Sequence, residues 1–200
     1  MEKRTLIQTE ATTSPVVLIA DSGSTKTTWC LVANGENTLL QTAGINPVTQ
    51  SDDAIASLLI HELWPILTKA LPEGHSAPDM VYFYGAGCLP YLCERMERLL
   101  LDHTKAPKAV VASDLLGAVH ALCGNAPGIA CILGTGANSC LFDGRDIVAN
   151  TPPLGFILGD EGSGAHLGKC FLGNLLKGLL DNSIYTQFME EYGLNYQSII

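Results

Sequence analysis

Two short runs in this 200-residue chain carry residue types suited to gripping an anion. The first, Asp21-Ser-Gly-Ser-Thr-Lys26, interrupts an apolar run that resumes as an alternating one. Gly23 permits a sharp bend, Ser24 and Thr25 bring hydroxyls and backbone N–H groups together, and Lys26 adds a positive charge. Asp21, at the end of a buried strand, is placed to hold a phosphate-bound Mg²⁺, directly or through water. The second run, Gly134-Thr-Gly-Ala-Asn-Ser139, repeats the arrangement after another apolar segment, with Gly134, Thr135 and Gly136 as its turn. Either run alone is equally well an ordinary polar hairpin. Their recurrence, each behind a buried strand, favours two phosphate-holding turns facing each other in a duplicated architecture.

Three carboxylates stand where chemistry would use them. Asp114 lies where an apolar run, Ala109–Ala112, passes into a helical pattern, in Ser113-Asp-Leu-Leu-Gly117. Ligand crevices of open α/β sheets lie at the carboxyl ends of strands, which makes Asp114 a candidate general base; a plain helix cap fits the position equally. In Leu158-Gly-Asp-Glu-Gly-Ser-Gly164, Asp160 or Glu161 could bind sugar hydroxyls or a hydrated metal, or could only complement a helix dipole. Gly168-Lys-Cys170 imitates the end of a P-loop, but lacks the Ser or Thr and falls inside a helical pattern. The five histidines show no metal-ligand spacing.

The elements that must position these residues are legible from periodicity. Val16–Ala20, Thr27–Ala33 and Thr38–Thr42 form a meander, with Asn34-Gly-Glu-Asn37 as its second turn. Ser51-Asp-Asp opens a helix whose apolar face is Ile55, Leu58, Leu59, Leu63, Ile66 and Leu67, with a kink expected at Pro65. Met80–Tyr84 is a strand ending at Gly85-Ala-Gly87, Pro90–Leu101 a helix, Ala109–Ala112 a strand and Asp114–Leu122 a helix. A second unit starts with strands Ile129–Leu133, Ser139–Phe142 and Ile147–Ala149. A loop over Pro152–Asp160 follows, then helices over Gly164–Leu180 and Ser183–Tyr192. The domain boundaries expected are a flexible tail over 1–14, a first domain over 15–127 and the start of a second over 128–200. Each domain is α/β, with a mixed sheet covered by helices.

Composition narrows the function classes. A hydrophobic fraction of 47% and a charged fraction of 16% exclude disorder, and a net charge of −9 with no basic stretch argues against nucleic acid. No apolar run reaches the length of a membrane span or a signal peptide, so neither a membrane nor secretion is expected. Seven cysteines without a CxxC pair suit buried reduced thiols in a cytoplasmic protein.

Taken in order, Asp21-Ser-Gly-Ser-Thr-Lys-Thr27, Ser113-Asp-Leu-Leu-Gly117, Gly134-Thr-Gly-Ala-Asn138 and Leu158-Gly-Asp-Glu-Gly-Ser163 resemble the motifs of N-acetylglucosamine kinases. More broadly they resemble the BadF/BadG/BcrA/BcrD ATPase family of the actin, hexokinase and Hsp70 superfamily, over residues 15 to about 192. The resemblance implies two duplicated ribonuclease-H-like domains closing on ATP, Mg²⁺ and a sugar, in a protein that could form a homodimer. Asp21, Gly23, Ser24, Thr25 and Lys26 would form the first phosphate motif, and Gly134, Thr135 and Gly136 the second. Asp114 would be the base, and Asn46, Asn138 and Asp160 would contact the sugar. The Leu154-Gly-Phe156 region stands where animal members carry a tryptophan, which implies an altered sugar subsite. Family members also continue beyond residue 200, so the second domain is expected to be incomplete, without the adenosine-binding glycines. Two alternatives accompany this reading. One is an ATPase activator of a CoA-ester dehydratase, for which Cys88 and Cys93 are the only close cysteine pair. The other is a non-catalytic or truncated sugar-binding protein.

Overall fold

The computed structural model describes residues 14–199, so the expected tail lies outside the described residues except for Ser14. Contacts divide the chain into two compact units, one through Gly117 and one from Ala118. In the first unit, β1 (Val17–Ser22), β2 (Lys26–Ala33) and β3 (Glu36–Ala43) form an antiparallel meander. β4 (Met80–Gly85) runs parallel to β1, and β5 (Ala109–Ser113) parallel to β4, giving the mixed sheet order β3-β2-β1-β4-β5.

The turn between β2 and β3 is tighter than the four residues anticipated. Asn34 (φ 52°) and Gly35 (φ 80°) take the two left-handed positions of a two-residue hairpin. α1 (Asp52–Leu58) starts at Ser51, whose side chain accepts from Ala54 N, and two acidic residues fill its first turn. The anticipated kink appears as a π-helical turn, Leu59–Leu63, before α2 (Trp64–Ala70). Pro65 has no N–H to return to the preceding turn, and widening that turn accommodates the loss. α3 (Pro90–Thr104) runs three residues past the expected end and stops at Lys105, in the left-handed conformation. α4 (Asp114–Cys123) follows β5 directly.

Inward-facing strand residues Leu18, Ala20, Trp29, Leu31, Val81 and Phe83 meet Ile55, Leu59, Leu67, Met96 and Leu100 of the helices in one core. Trp29 and Phe83 pack with ring centroids 5.8 Å apart, and Trp29 Nε1 donates to Thr42 Oγ1 at 3.0 Å. The one polar atom of the largest core residue is therefore satisfied.

In the second unit β6 (Gly128–Leu133), β7 (Ala137–Phe142) and β8 (Ile147–Thr151) make an antiparallel meander in sequential order. The segment expected to be entirely loop contains α5 (Gly155–Leu158). α6 (Gly164–Leu176) ends before the expected Leu180, because Gly178 turns the chain with φ 69°. α7 (Asn182–Tyr192) is capped by Asp181, and α8 (Tyr196–Ile199) was not anticipated. Ala130, Cys140, Phe142 and Leu175 are buried, whereas Ile129 and Leu133 are each 70% exposed on the other face of β6. Cys131 shares that open face and Cys170 is exposed on α6, so the expectation of buried thiols fails for these two; all seven cysteines are free.

Candidate functional site

At the end of β1 the chain turns through Gly23, Ser24 and Thr25. Gly23 N–H donates to Lys26 carbonyl (3.0 Å), which closes the turn, and Gly44 N–H donates to Thr25 carbonyl (3.1 Å). Among the described residues the Ser24 and Thr25 amides have no partner, and both residues are exposed, as are Asp21 and Lys26. A turn whose carbonyls are engaged while successive N–H groups stay open is an anion-binding concavity.

Below this surface sits Ser22, fully buried. Its hydroxyl accepts from Ile45 N (3.1 Å), donates to Ile45 carbonyl (3.0 Å) and lies 2.7 Å from Thr27 Oγ1. Ser22 thereby ties the turn to the loop Gly44-Ile-Asn46. The approach is close: a Cβ on Gly44 would lie 2.5 Å from the Gly23 carbonyl oxygen, and one on Gly87 2.1 Å from Asn46 Oδ1. Asn46 Oδ1 accepts from Val48 N (3.0 Å), and Gln50 brackets the loop by accepting from Asn46 N (2.9 Å) and donating to Gly44 carbonyl (3.0 Å). With its oxygen accepting from Val48 N, Asn46 still has both amide N–H groups to offer a ligand.

Arg95 of α3 completes the clamp. It donates to Pro47 carbonyl (2.6 Å) and Gln50 carbonyl (2.9 Å) and pairs with Asp52. Ser22, Gln50 and Arg95 were not singled out from the sequence. Ser22 looked like one more small residue in a turn, and nothing in the spacing of α3 distinguishes Arg95 from a solvated charge.

Asp114 is half-buried at the end of β5, on the same side of the sheet at which β1 ends. Its Oδ1 accepts from Leu115 N (2.8 Å), and Ser113 Oγ accepts from Leu116 N (3.2 Å). Ser113 therefore supplies the helix cap, leaving Asp114 Oδ2 without a partner among the described residues. Burial pushes the Asp114 carboxyl above the ordinary carboxylate range, and the Asp21 charge pushes it further. Gly117, one turn on, lets α4 lie against Tyr84, since a Cβ there would come within 2.8 Å of that side chain.

The second turn is built differently beneath a similar surface. Gly134 N–H donates to Gly136 carbonyl (2.9 Å), while Gly164 N–H and Ala165 N–H from the start of α6 donate to the carbonyls of Gly134 (2.8 Å) and Thr135 (3.2 Å). Among the described residues the Thr135 and Gly136 amides are again without partners. Asp160, only 9% exposed, accepts from Ala137 N at 3.0 Å. Asn138 Oδ1 accepts from Ser139 N (2.9 Å) and Asn150 Nδ2 (2.8 Å), so its free amide, like that of Asn46, is a donor. Lys169 lies within α6 and donates to Phe156 carbonyl (2.6 Å), in keeping with rejection of the P-loop look-alike.

No group of three or more His, Cys, Asp or Glu side chains gathers among the described residues. Mg²⁺ carried by a nucleotide needs only one or two protein carboxylates, the rest of its shell being phosphate and water. Asp21, exposed and within electrostatic reach of Asp114, fits that requirement, and a cation there would offset the repulsion between the two acids. The cysteine pair expected of a dehydratase activator fits poorly: Cys88 is 4% exposed, and burial drives its thiol up to about 12.

No family model and no curated protein matches the chain. Among solved structures, the fold is that of the actin-like ATPases, α/β with a mixed sheet followed by a second meander. The chain is 49% identical to a candidate N-acetylglucosamine kinase of Porphyromonas gingivalis, with a TM-score of 0.86, covering 92% of this chain and 64% of that one. A second candidate N-acetylglucosamine kinase, from Chromobacterium violaceum, superposes with a TM-score of 0.66 at 18% identity, covering 92% of this chain and 66% of that one. An ethanolamine utilization protein of Carboxydothermus hydrogenoformans shares the fold at 16% identity and a TM-score of 0.53, over 80% of this chain and 57% of that one. The chain thus spans about two thirds or less of each of these proteins. Among the described residues, no helix is long and apolar enough to cross a membrane.

Proposed function

We propose that this chain serves ATP-dependent phosphorylation of a sugar hydroxyl, with N-acetylglucosamine or a related amino sugar as acceptor, as a cytoplasmic member of the BadF/BadG/BcrA/BcrD ATPases. The observation that carries the proposal is the placement of Asp114. A half-buried carboxylate with one free oxygen stands at a strand end, within electrostatic reach of Asp21, whose own turn leaves the Ser24 and Thr25 amides open. Similarity to the Porphyromonas gingivalis protein supports the amino-sugar acceptor.

Phosphoryl transfer demands positioning and charge neutralisation more than covalent help. In the first unit the amides of Ser24 and Thr25 would hold phosphate oxygens, with Lys26 adding charge; in the second, those of Thr135 and Gly136 offer the same kind of donor. In the first unit Asn46 would donate to an acceptor oxygen of the sugar, and in the second Asn138 carries a free amide suited to the same role. Asp114 Oδ2 would take the proton of the attacking hydroxyl as its oxygen bonds to the γ-phosphorus and the bond from that phosphorus to the departing ADP oxygen breaks. Its raised proton affinity suits this task, because an ordinary carboxylate is a weak base. Asp21 would hold Mg²⁺, which when bound supplies neutralisation of the phosphate charge.

Assaying ATP consumption with a panel of amino sugars tests the proposal. Turnover with N-acetylglucosamine should fall by about 10²- to 10⁴-fold in Asp114→Asn, with sugar binding retained. Full activity of that variant would remove Asp114 from the mechanism, and no ATP-dependent turnover with any sugar would defeat the proposal itself.

A further inference from the structure

Ser22 commits its side chain to a link that the sheet alone does not make. The strand order β3-β2-β1 puts β2 between β1, which Ser22 ends, and β3, which leads into Gly44-Ile-Asn46. No ladder bond therefore joins the turn after β1 to that loop. The fully buried Ser22 hydroxyl joins them instead, accepting from Ile45 N (3.1 Å) and donating to Ile45 carbonyl (3.0 Å). Around this link the two segments leave no space, for a Cβ on Gly44 would lie 2.6 Å from the Ser24 carbonyl oxygen. Gly44 N–H meanwhile donates to Thr25 carbonyl (3.1 Å). On its other side Ser22 carbonyl accepts from Ala86 N (2.8 Å), and Gly87 follows with no room for a Cβ beside Asn46. A shift of the turn is thus a shift of the Ile45 peptide, one residue before Asn46.

We infer that Ser22 is a positioning residue that couples the turn to the loop, so that a ligand held by either tightens the binding of a ligand at the other. The inference rests on the kinase reading, in which the open Ser24 and Thr25 amides receive phosphate and Asn46 receives the sugar. When two segments are ordered together, the first ligand bears the ordering cost and the second meets an arranged site. The coupling is reciprocal, each ligand raising the affinity of the other by the same factor. Alanine at 22 takes the buried hydroxyl from both Ile45 groups, whereas valine at 27 removes the neighbouring hydroxyl and spares both Ile45 bonds. Apart from its contact with Ser22, Thr27 Oγ1 donates to Ala43 carbonyl (3.1 Å), across a ladder that already pairs β2 with β3. Thr27→Val is therefore a matched control for the loss of a buried hydroxyl.

The test measures N-acetylglucosamine affinity by calorimetry with and without saturating Mg·AMP-PNP, in wild type, Ser22→Ala and Thr27→Val, each as the full chain. The nucleotide should tighten sugar binding about fivefold or more in wild type and Thr27→Val, and less than about twofold in Ser22→Ala. Ser22→Cys, which fills the site with a weaker donor and acceptor, should fall between, and carries the comparison where the alanine variant does not fold. Amide exchange gives a reading free of ligands: Gly44 N–H, whose partner is Thr25 and not Ser22, should exchange faster in Ser22→Ala but not in Thr27→Val. Leu31, within β2, should keep its protection in both. Coupling that survives in Ser22→Ala would run by another route and overturn the inference, as would unchanged exchange at Gly44. Equal loss of coupling in Ser22→Ala and Thr27→Val would reduce Ser22 to one buried hydroxyl among others and overturn it too. A wild-type chain that binds both ligands without mutual tightening would overturn the inference alone. One that binds neither would overturn the kinase reading instead, which separates the two failures.

Discussion

Asp114 combines two demands that oppose each other. Burial and the neighbouring Asp21 charge raise its proton affinity, which suits a base but makes the ionised form unfavourable in the folded protein. The sign of the linkage follows. A group whose folded pKa lies above its unfolded value contributes stability that is complete below the unfolded value and is lost as pH rises through the folded one. Asparagine at 114 removes the ionisation while keeping an oxygen for Leu115 N. Asp114→Asn should therefore melt at a higher temperature than wild type at pH 7, and the gap should close below about pH 4, where the unfolded carboxyl also protonates. Thermal melts of both proteins across that range check this. A variant less stable than wild type at pH 7 would mean that the Asp114 charge is compensated in the fold. A variant at once more stable and inactive marks a residue retained for function.

Helix α3 acts on the candidate sugar loop through one side chain. The guanidinium of Arg95 is the donor to both Pro47 and Gln50 carbonyls, which flank the turn that begins at Asn46. Arg95→Ala should raise the KM for sugar about tenfold and leave the KM for ATP nearly unchanged, at a stability cost of about 1–3 kcal/mol for the stranded acceptors. Lysine should restore little, since one ammonium cannot span two carbonyls and a carboxylate as a planar fork does. Equal rises in both KM values would reduce Arg95 to a general support of the fold. This clamp also shows where sequence reasoning loses its purchase. The meander, the helix faces and the small-residue turns are local signals, carried by alternation, 3.6-residue spacing and glycine within a few positions of one another. Arg95 finds its carbonyl partners 48 and 45 residues away, and Asp160 finds Ala137 at a separation of 23. No period encodes such contacts. The short helices α5 and α8 escaped for the opposite reason, being one turn long and too brief to show a period.

At the scale of the molecule the two units differ sharply in how much apolar surface they bury. The contiguous core draws on residues from Val16 to Val111, all in the first unit. In the second, Val119, Ala130, Cys140, Phe142 and Leu175 are buried, while Ile129 and Leu133 on the other face of β6 remain open. Burial of apolar area is the main favourable term in folding, so regions with little of it open at lower free energy. The second unit should consequently melt before the first, giving two calorimetric transitions rather than one, and amides of β6–β8 should exchange faster than those of β1, β2 and β4. Core truncations assign the transitions: Phe142→Ala should lower only the earlier one, and Phe83→Ala only the later, each by about 3–5 kcal/mol of local stability. A ligand that binds only the folded form stabilises the part it touches in proportion to its occupancy. If phosphate is received at Thr135 and Gly136 as well as at Ser24 and Thr25, Mg·ATP should therefore raise both transitions. A rise confined to the later transition would restrict nucleotide contact to the first turn. A single transition shifted as a whole by both truncations would show that the units fold as one, and that the second unit draws its stability from the first.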